Sequence, residues 1–144
     1  MATIEEIAEI AEKDLEIDPT NLSISSMITP KLVNKYFQIL IKESDVLTQA
    51  NIKLNNIYLE LEEYYLGNAS PETYKVRPLA KSRILKSNLQ QVIESDPIYY
   101  EFMQKVANQK MKIEYLREII KQLNNRGFVI KNMIENEKFK NGGY

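Results

Sequence analysis

No glycine or proline falls between Lys31 and Leu66, and through that stretch one row of residues steps by alternating fours and threes. Val33, Leu40, Leu47, Leu54 and Leu61 form one position class, and Phe37, Ser44, Asn51, Tyr58 and Tyr65 the other. That is a heptad seam, the pattern of a long helix packed along another helix. At 1.5 Å per residue such a helix spans about 54 Å. It does not fit inside a compact ball of 144 residues, so an elongated shape is expected. Ser44 and Asn51 weaken the seam. They either fix register or oligomeric state, or face a loop or water.

A second seam starts after Ser95-Asp96-Pro97, where Asp96 is the expected N-cap and Pro97 the first helical residue. It comprises Tyr99, Phe102, Val106, Gln109, Ile113, Leu116, Ile120 and Leu123, and its spacing continues through Gly127 to Ile130 and Ile134. Gly127 costs a helix about 1 kcal/mol relative to alanine. It marks a kink or a close backbone approach, and the helix is expected to continue past it toward Phe139. Two such seams predict an all-α, elongated antiparallel bundle of two long helices. Short N-terminal and middle helices accompany them, and a helical C-terminal extension serves oligomerisation. Residues 1–126 form the bundle, with a basic elbow at 67–86, and residues 127–144 the extension. Leu116, Ile120, Leu123, Phe128, Ile130 and Ile134 are the candidates for the surface between chains.

The shorter elements have local signals. Thr3-Ile4-Glu5-Glu6 reads as a capping box, followed by a helix with Ile4, Ile7, Ala8, Ala11 and Leu15 on one face. Its acidic side is either solvated surface or a clamp for a basic partner. Residues 21–28 are expected to be an extended connection, and Thr29-Pro30 to open the first long helix as N-cap and first residue. Gly67-Asn68 are C-cap types. Ala69 to Pro78 read as a loop, and Pro78 as the start of a short helix through Ile93, with Ile84, Leu85, Leu89, Val92 and Ile93 inward.

Charge is divided along the chain. Residues 1–72 carry 5 basic and 13 acidic groups, and residues 73–144 carry 14 basic and 7 acidic. The split suits either two faces with different partners or halves that attract each other. There is no histidine and no cysteine, which removes the commonest general base, the commonest metal ligand and all disulfides. With no phosphate loop, nucleophile elbow or carboxylate metal spacing either, no enzyme activity and no cofactor are expected. No apolar run exceeds three residues, so no membrane helix is expected and the cytosol is the expected location.

From Thr73 to Ile93 there is no acidic residue, while Lys75, Arg77, Lys81, Arg83 and Lys86 supply five positive charges. Tyr74 lies beside the first of them. Single-strand binding uses cations to track the backbone and aromatic rings to stack bases. Tyr74, Lys75, Arg77, Lys81, Arg83 and Lys86 are therefore the candidate nucleic-acid site. Tyr65, on the seam, reads as a packing residue. Lys105, Lys110, Lys112, Arg117, Lys121, Arg126 and Lys131 stand mostly off the second seam and offer an additional or alternative basic flank.

At these residues the chain resembles the UvsY recombination mediators of T4-like phages. The matching pieces are Ile17-Asp18 with Thr20 and Leu22; Tyr64-Tyr65 with Gly67; Lys81-Ser82; and Arg126-Gly127-Phe128 with Ile130-Lys131, then Phe139. The Glu-Tyr-Tyr-x-Gly run followed by Pro71-Glu72-x-Tyr74-Lys75 is similar to marine phage forms. The resemblance implies a ring-like homo-oligomer, hexamer or heptamer, in the host cytoplasm, bound to single-stranded DNA. It also implies contact with a RecA-like recombinase, UvsX, and with the phage single-stranded DNA-binding protein, and a mediator role in recombination, repair and replication. Family members can carry basic residues just before the aromatic pair. Here Glu60, Glu62 and Glu63 stand there, which moves the expected DNA contact downstream to Lys75 through Lys86. The alternative is a coiled-coil adaptor that binds no nucleic acid.

Overall fold

The structure, a computed structural model, describes residues 2–79 and 84–142. Five helices follow in order: α1 (Ile4–Asp14), α2 (Leu22–Tyr65), α3 (Pro71–Val76), α4 (Lys86–Glu94) and α5 (Pro97–Lys140). The all-α class and the two long helices agree with the seams. None of the described helices is long and apolar enough to cross a membrane. The chain forms two compact units, residues 1–44 with 111–144, and residues 45–110. Each long helix contributes one part to each unit.

In the first unit the capping box holds the start of α1. The Thr3 N–H donates to Glu6 Oε2 at 3.0 Å, and the Glu6 N–H to Thr3 Oγ1 at 3.2 Å. α1 lays Ile7 and Ala11 against Tyr36 of α2 and Leu116, Ile119 and Leu123 of α5. Polar contacts fix the direction of the long helices. Arg126 reaches the Ser25 carbonyl, and Lys112 pairs with Glu43 at 3.4 Å. The α5 position falls as the α2 position rises, so the two run antiparallel. Lys112 and Glu43 are both buried. Lys112 and Arg126 thus belong to the interior, and neither can join the basic flank expected of them.

Arg126 is 3% exposed. Its Nη1 donates to the Asp14 carbonyl at 2.6 Å and its Nη2 to the Ser25 carbonyl at 3.4 Å. Its Nε finds no partner among the described residues. Burial lowers its pKa, and the charge of Asp14 offsets part of that. The Asp14 carboxylate accepts from Lys35 Nζ and Tyr36 Oη, each at 2.7 Å. Burial raises the Asp14 pKa, but these bonds, with the charges of Lys35 and Arg126, bring it below its usual value.

α2 begins earlier than expected. Residues 22–28 are helical rather than extended, and Pro30 lies inside the helix rather than at its first position. Asn21 supplies the cap, its Oδ1 accepting the Ile24 N–H at 3.3 Å. Proline removes one N–H from the ladder, and the neighbouring carbonyl of Ser25 is bonded by the Thr29 hydroxyl at 2.8 Å and by Arg126. The buried face of α2 is also shifted from the seam. Tyr36 is fully buried while Phe37 is 50% exposed, because the Tyr36 hydroxyl is held by Asp14. Asn51 is exposed.

In the second unit the order is again antiparallel. The Lys53 ammonium lies 5.1 Å from the Phe102 ring centroid, and Tyr58 meets Tyr99 edge-on at 6.0 Å. Leu61, Tyr64, Ile93 and Val106 are buried there. α2 ends in a Schellman motif: the Asn68 N–H bonds the Glu63 carbonyl and the Gly67 N–H the Tyr64 carbonyl. Gly67 has φ +81°, and a Cβ there would meet no atom within 4 Å. Gly67→Ala is therefore expected to cost only the left-handed backbone penalty, about 1–2 kcal/mol, read as a lower urea midpoint at unchanged slope.

Two further expectations give way. The loop from Ala69 to Pro78 contains α3, with Ser70 as N-cap and Pro71 in its first turn. Pro78 starts no helix; α4 begins at Lys86. Leu85, expected inward, is 70% exposed at the N-cap, while Ile93 is fully buried. α5 runs unbroken through Gly127.

Candidate nucleic-acid interface

The elbow in the second unit is built on two tyrosines at the end of α2. The Tyr74 ring of α3 stacks on Tyr64, centroids 5.4 Å apart and planes 23° apart. The Tyr74 hydroxyl donates to the Tyr64 carbonyl at 2.7 Å and accepts the Ala69 N–H at 3.2 Å. The Tyr64 hydroxyl donates to the Pro78 carbonyl at 3.2 Å. These bonds tie both ends of α3 to the end of α2.

Arg77 follows α3. Its guanidinium lies over the Tyr64 ring, 4.7 Å from the centroid, and Nη2 donates to Asp96 Oδ2 at 2.5 Å. The same oxygen accepts the Tyr65 hydroxyl at 2.5 Å, and Oδ1 accepts the Ile98 N–H at 2.9 Å, capping α5. The Asp96 side chain is fully buried and that of Arg77 is 38% exposed. Burial raises the Asp96 pKa, but the bonds from Tyr65, Arg77 and Ile98 and the Arg77 charge outweigh it, leaving it below its usual value. Burial, then the bond to Asp96, pushes Tyr65 up to about 12.

Two pH windows follow. Asp96 has a depressed folded pKa, so its contribution is present above the carboxylate's ordinary value of 3.8 and is lost as pH falls through the folded value. Tyr65 has a raised one, so its contribution is complete below pH 10 and is lost as pH rises toward about 12. An absorbance titration of the phenols is expected to show late ionisation in the folded chain, and Tyr65→Phe to remove one late step.

The sequence-predicted site residues divide by environment. Lys75 is exposed on α3, and Lys86 is exposed as the first residue of α4. Among the described residues no side chain caps the start of α4, and Lys86 adds its charge to the positive end of that helix. Tyr74 and Arg77 are half-buried in the scaffold just described. Lys81 and Arg83 lie outside the described residues, as does the matching Lys81-Ser82 pair. Sequence reasoning had Asp96 as a cap but missed it as the partner of Arg77, since nothing local links residues that far apart.

The family described as "Recombination, repair and ssDNA binding protein UvsY" matches residues 10–143. The chain belongs to the UvsY family. Solved structures agree on the fold. The bacteriophage T4 recombination mediator protein UvsY, in one crystal lattice, is similar with a TM-score of 0.86 at 17% identity, covering 97% of this chain and 98% of that one. In a second lattice the values are 0.83 and 16%, with 96% and 99% covered. No curated protein sequence matches the chain. The elbow thus carries two exposed lysines, Lys75 on α3 and Lys86 at the start of α4, near the stacked pair Tyr64 and Tyr74.

Of the residues expected between chains, Leu116, Leu123 and Ile130 are buried within this chain. They pack in the first unit and have no surface left for a partner. Ile120 and Ile134 are half-buried, while Phe128 is 69% exposed.

Proposed function

We propose that this chain is a recombination mediator that binds single-stranded DNA and loads a RecA-like recombinase onto strands coated by single-stranded DNA-binding protein. The family match over residues 10–143 carries this reading, and the likeness to the T4 recombination mediator supports it. The strand runs along the elbow. Lys75, Lys86 and the intervening Lys81 and Arg83 neutralise phosphates, and a base stacks on the half-buried Tyr74 ring, on the side away from Tyr64. No group transfer is involved, and the chain acts by binding alone.

Single strands are favoured over duplex. The flexible backbone of a single strand adapts to cations that do not follow a duplex, and aromatic rings suit unstacked bases. A competition assay at moderate salt, with labelled single strand against unlabelled duplex of equal charge, is expected to leave the single strand bound. Equal displacement by duplex counts against this reading, and no binding to either favours the coiled-coil adaptor.

The working form is a homo-oligomer in which the exposed Phe128 contributes to the contact between chains. Phe128→Glu is expected to lower the mass in sedimentation toward the 16.8 kDa subunit. It should leave helicity unchanged, because residue 128 is 69% exposed. An unchanged mass places the contact elsewhere.

A further inference from the structure

We propose that Arg77 and Asp96 form a lock that sets the geometry of the elbow, both acting as positioning residues rather than as DNA contacts. This rests on the reading of the elbow as the single-strand site. One buried carboxylate gathers the end of α2 through Tyr65, the residue after α3 through Arg77, and the start of α5 through the Ile98 N–H. Tyr64 completes the seat, its ring under the guanidinium at 4.7 Å and stacked on Tyr74. With Tyr74 and Arg77 turned inward, α3 leaves Lys75 on its solvent side.

A phosphate that drew Arg77 away would leave the Asp96 carboxylate buried without its counter-charge, which is strongly unfavourable. Among the described cations of the elbow, Arg77 is therefore the least free to follow a strand. Its contribution to binding is to keep the segment ordered before DNA arrives, which lowers the ordering cost of association. Loosening the lock weakens binding without changing how many phosphates are neutralised. The affinity and the salt slope then part company, because the slope counts phosphates.

The test uses the full chain and a labelled single-stranded oligonucleotide over a salt series. Arg77→Gln and Asp96→Asn are each expected to weaken binding about tenfold, and the double variant no further, since both break one coupling. The log–log slope stays at the wild-type value. Asparagine keeps an acceptor for the Ile98 N–H, so α5 remains capped. In the free protein, amide exchange over residues 71–77 rises in both variants. Arg77→Lys carries the same decision should Asp96→Asn fail to fold. Lysine lacks the planar fork, so the lock expects weaker binding at the wild-type slope, whereas a simple phosphate contact expects near wild-type binding. The proposal is overturned if Arg77→Gln lowers the slope by about 0.7 while Asp96→Asn binds as well as wild type. If Lys75→Glu changes neither affinity nor slope, the elbow is not the site, and the lock falls with that reading.

Discussion

Replacing Arg126 by alanine is expected to lower the unfolding free energy by about 3 kcal/mol, because hydrogen bonds made by a charged group contribute roughly 1.5–3 kcal/mol each. The guanidinium is almost fully buried and donates to the carbonyls of Asp14 and Ser25. The first of these ends α1 and the second lies in the first turns of α2, so one side chain joins three helices. Its removal takes the guanidinium donor from the Asp14 carbonyl, leaves the Ser25 carbonyl to the Thr29 hydroxyl, and opens a cavity beside Asp14, which also loses a favourable charge. Arg126→Lys should recover only part of the loss, since lysine lacks the planar fork that reaches both carbonyls. Chemical unfolding followed by helical circular dichroism reads the effect. A change within about 0.5 kcal/mol, the range of ordinary surface substitutions, would mean that Arg126 does not organise the first unit. Leu123→Ala, at a fully buried position of the same unit, is a control expected to cost about 2–5 kcal/mol.

Periodicity made the centre of the α5 seam legible, though it missed the buried Lys112, Ile119 and Arg126. Val106, Gln109, Ile113, Leu116, Leu123 and Ile130, all on its seam, are all buried. The seam on α2 was less faithful, because a tyrosine whose hydroxyl finds a carboxylate can replace a phenylalanine in the core. Tyr36 does so next to Phe37. The start of α2 was misplaced because Thr-Pro is a strong opening signal, yet Asn21 provides the cap upstream and Pro30 is carried inside the helix. α3 was overlooked although Ser70-Pro71-Glu72 has the composition of a helix start, since six residues are too few to show a period. The charges were the least legible feature. Lys112, Arg126 and Arg77 look like surface cations in the sequence. Their partners, Glu43, the Asp14 and Ser25 carbonyls, and Asp96, lie 19 to 112 residues away in the chain. Only the antiparallel packing and the turns bring them together. Lys75 and Lys86, for which the described residues supply no such distant partner, remained where the charge pattern put them, on the surface.

Reversing Lys75, Lys81 and Lys86 to glutamate is expected to be the most damaging change to DNA binding that leaves the fold intact. Arg77 is kept, so the Asp96 lock and the aromatic base are undisturbed. Lys75 and Lys86 are exposed, and their reversal strands no buried group. If each of the three neutralises one phosphate, the log–log dependence of affinity on salt should lose about 2 units per subunit, from roughly 0.7 per phosphate on single strands. The weakening should be uniform across oligonucleotide sequences, because phosphate contacts carry no base information. The deciding measurement is the affinity for a labelled single-stranded oligonucleotide across a salt series, wild type beside this triple variant, with helicity checked in both. The account expects binding weakened for every sequence and a flattened salt slope at unchanged helicity. A triple variant that binds with wild-type affinity and wild-type slope would contradict it, and would move the strand to the exposed lysines between Lys105 and Lys131.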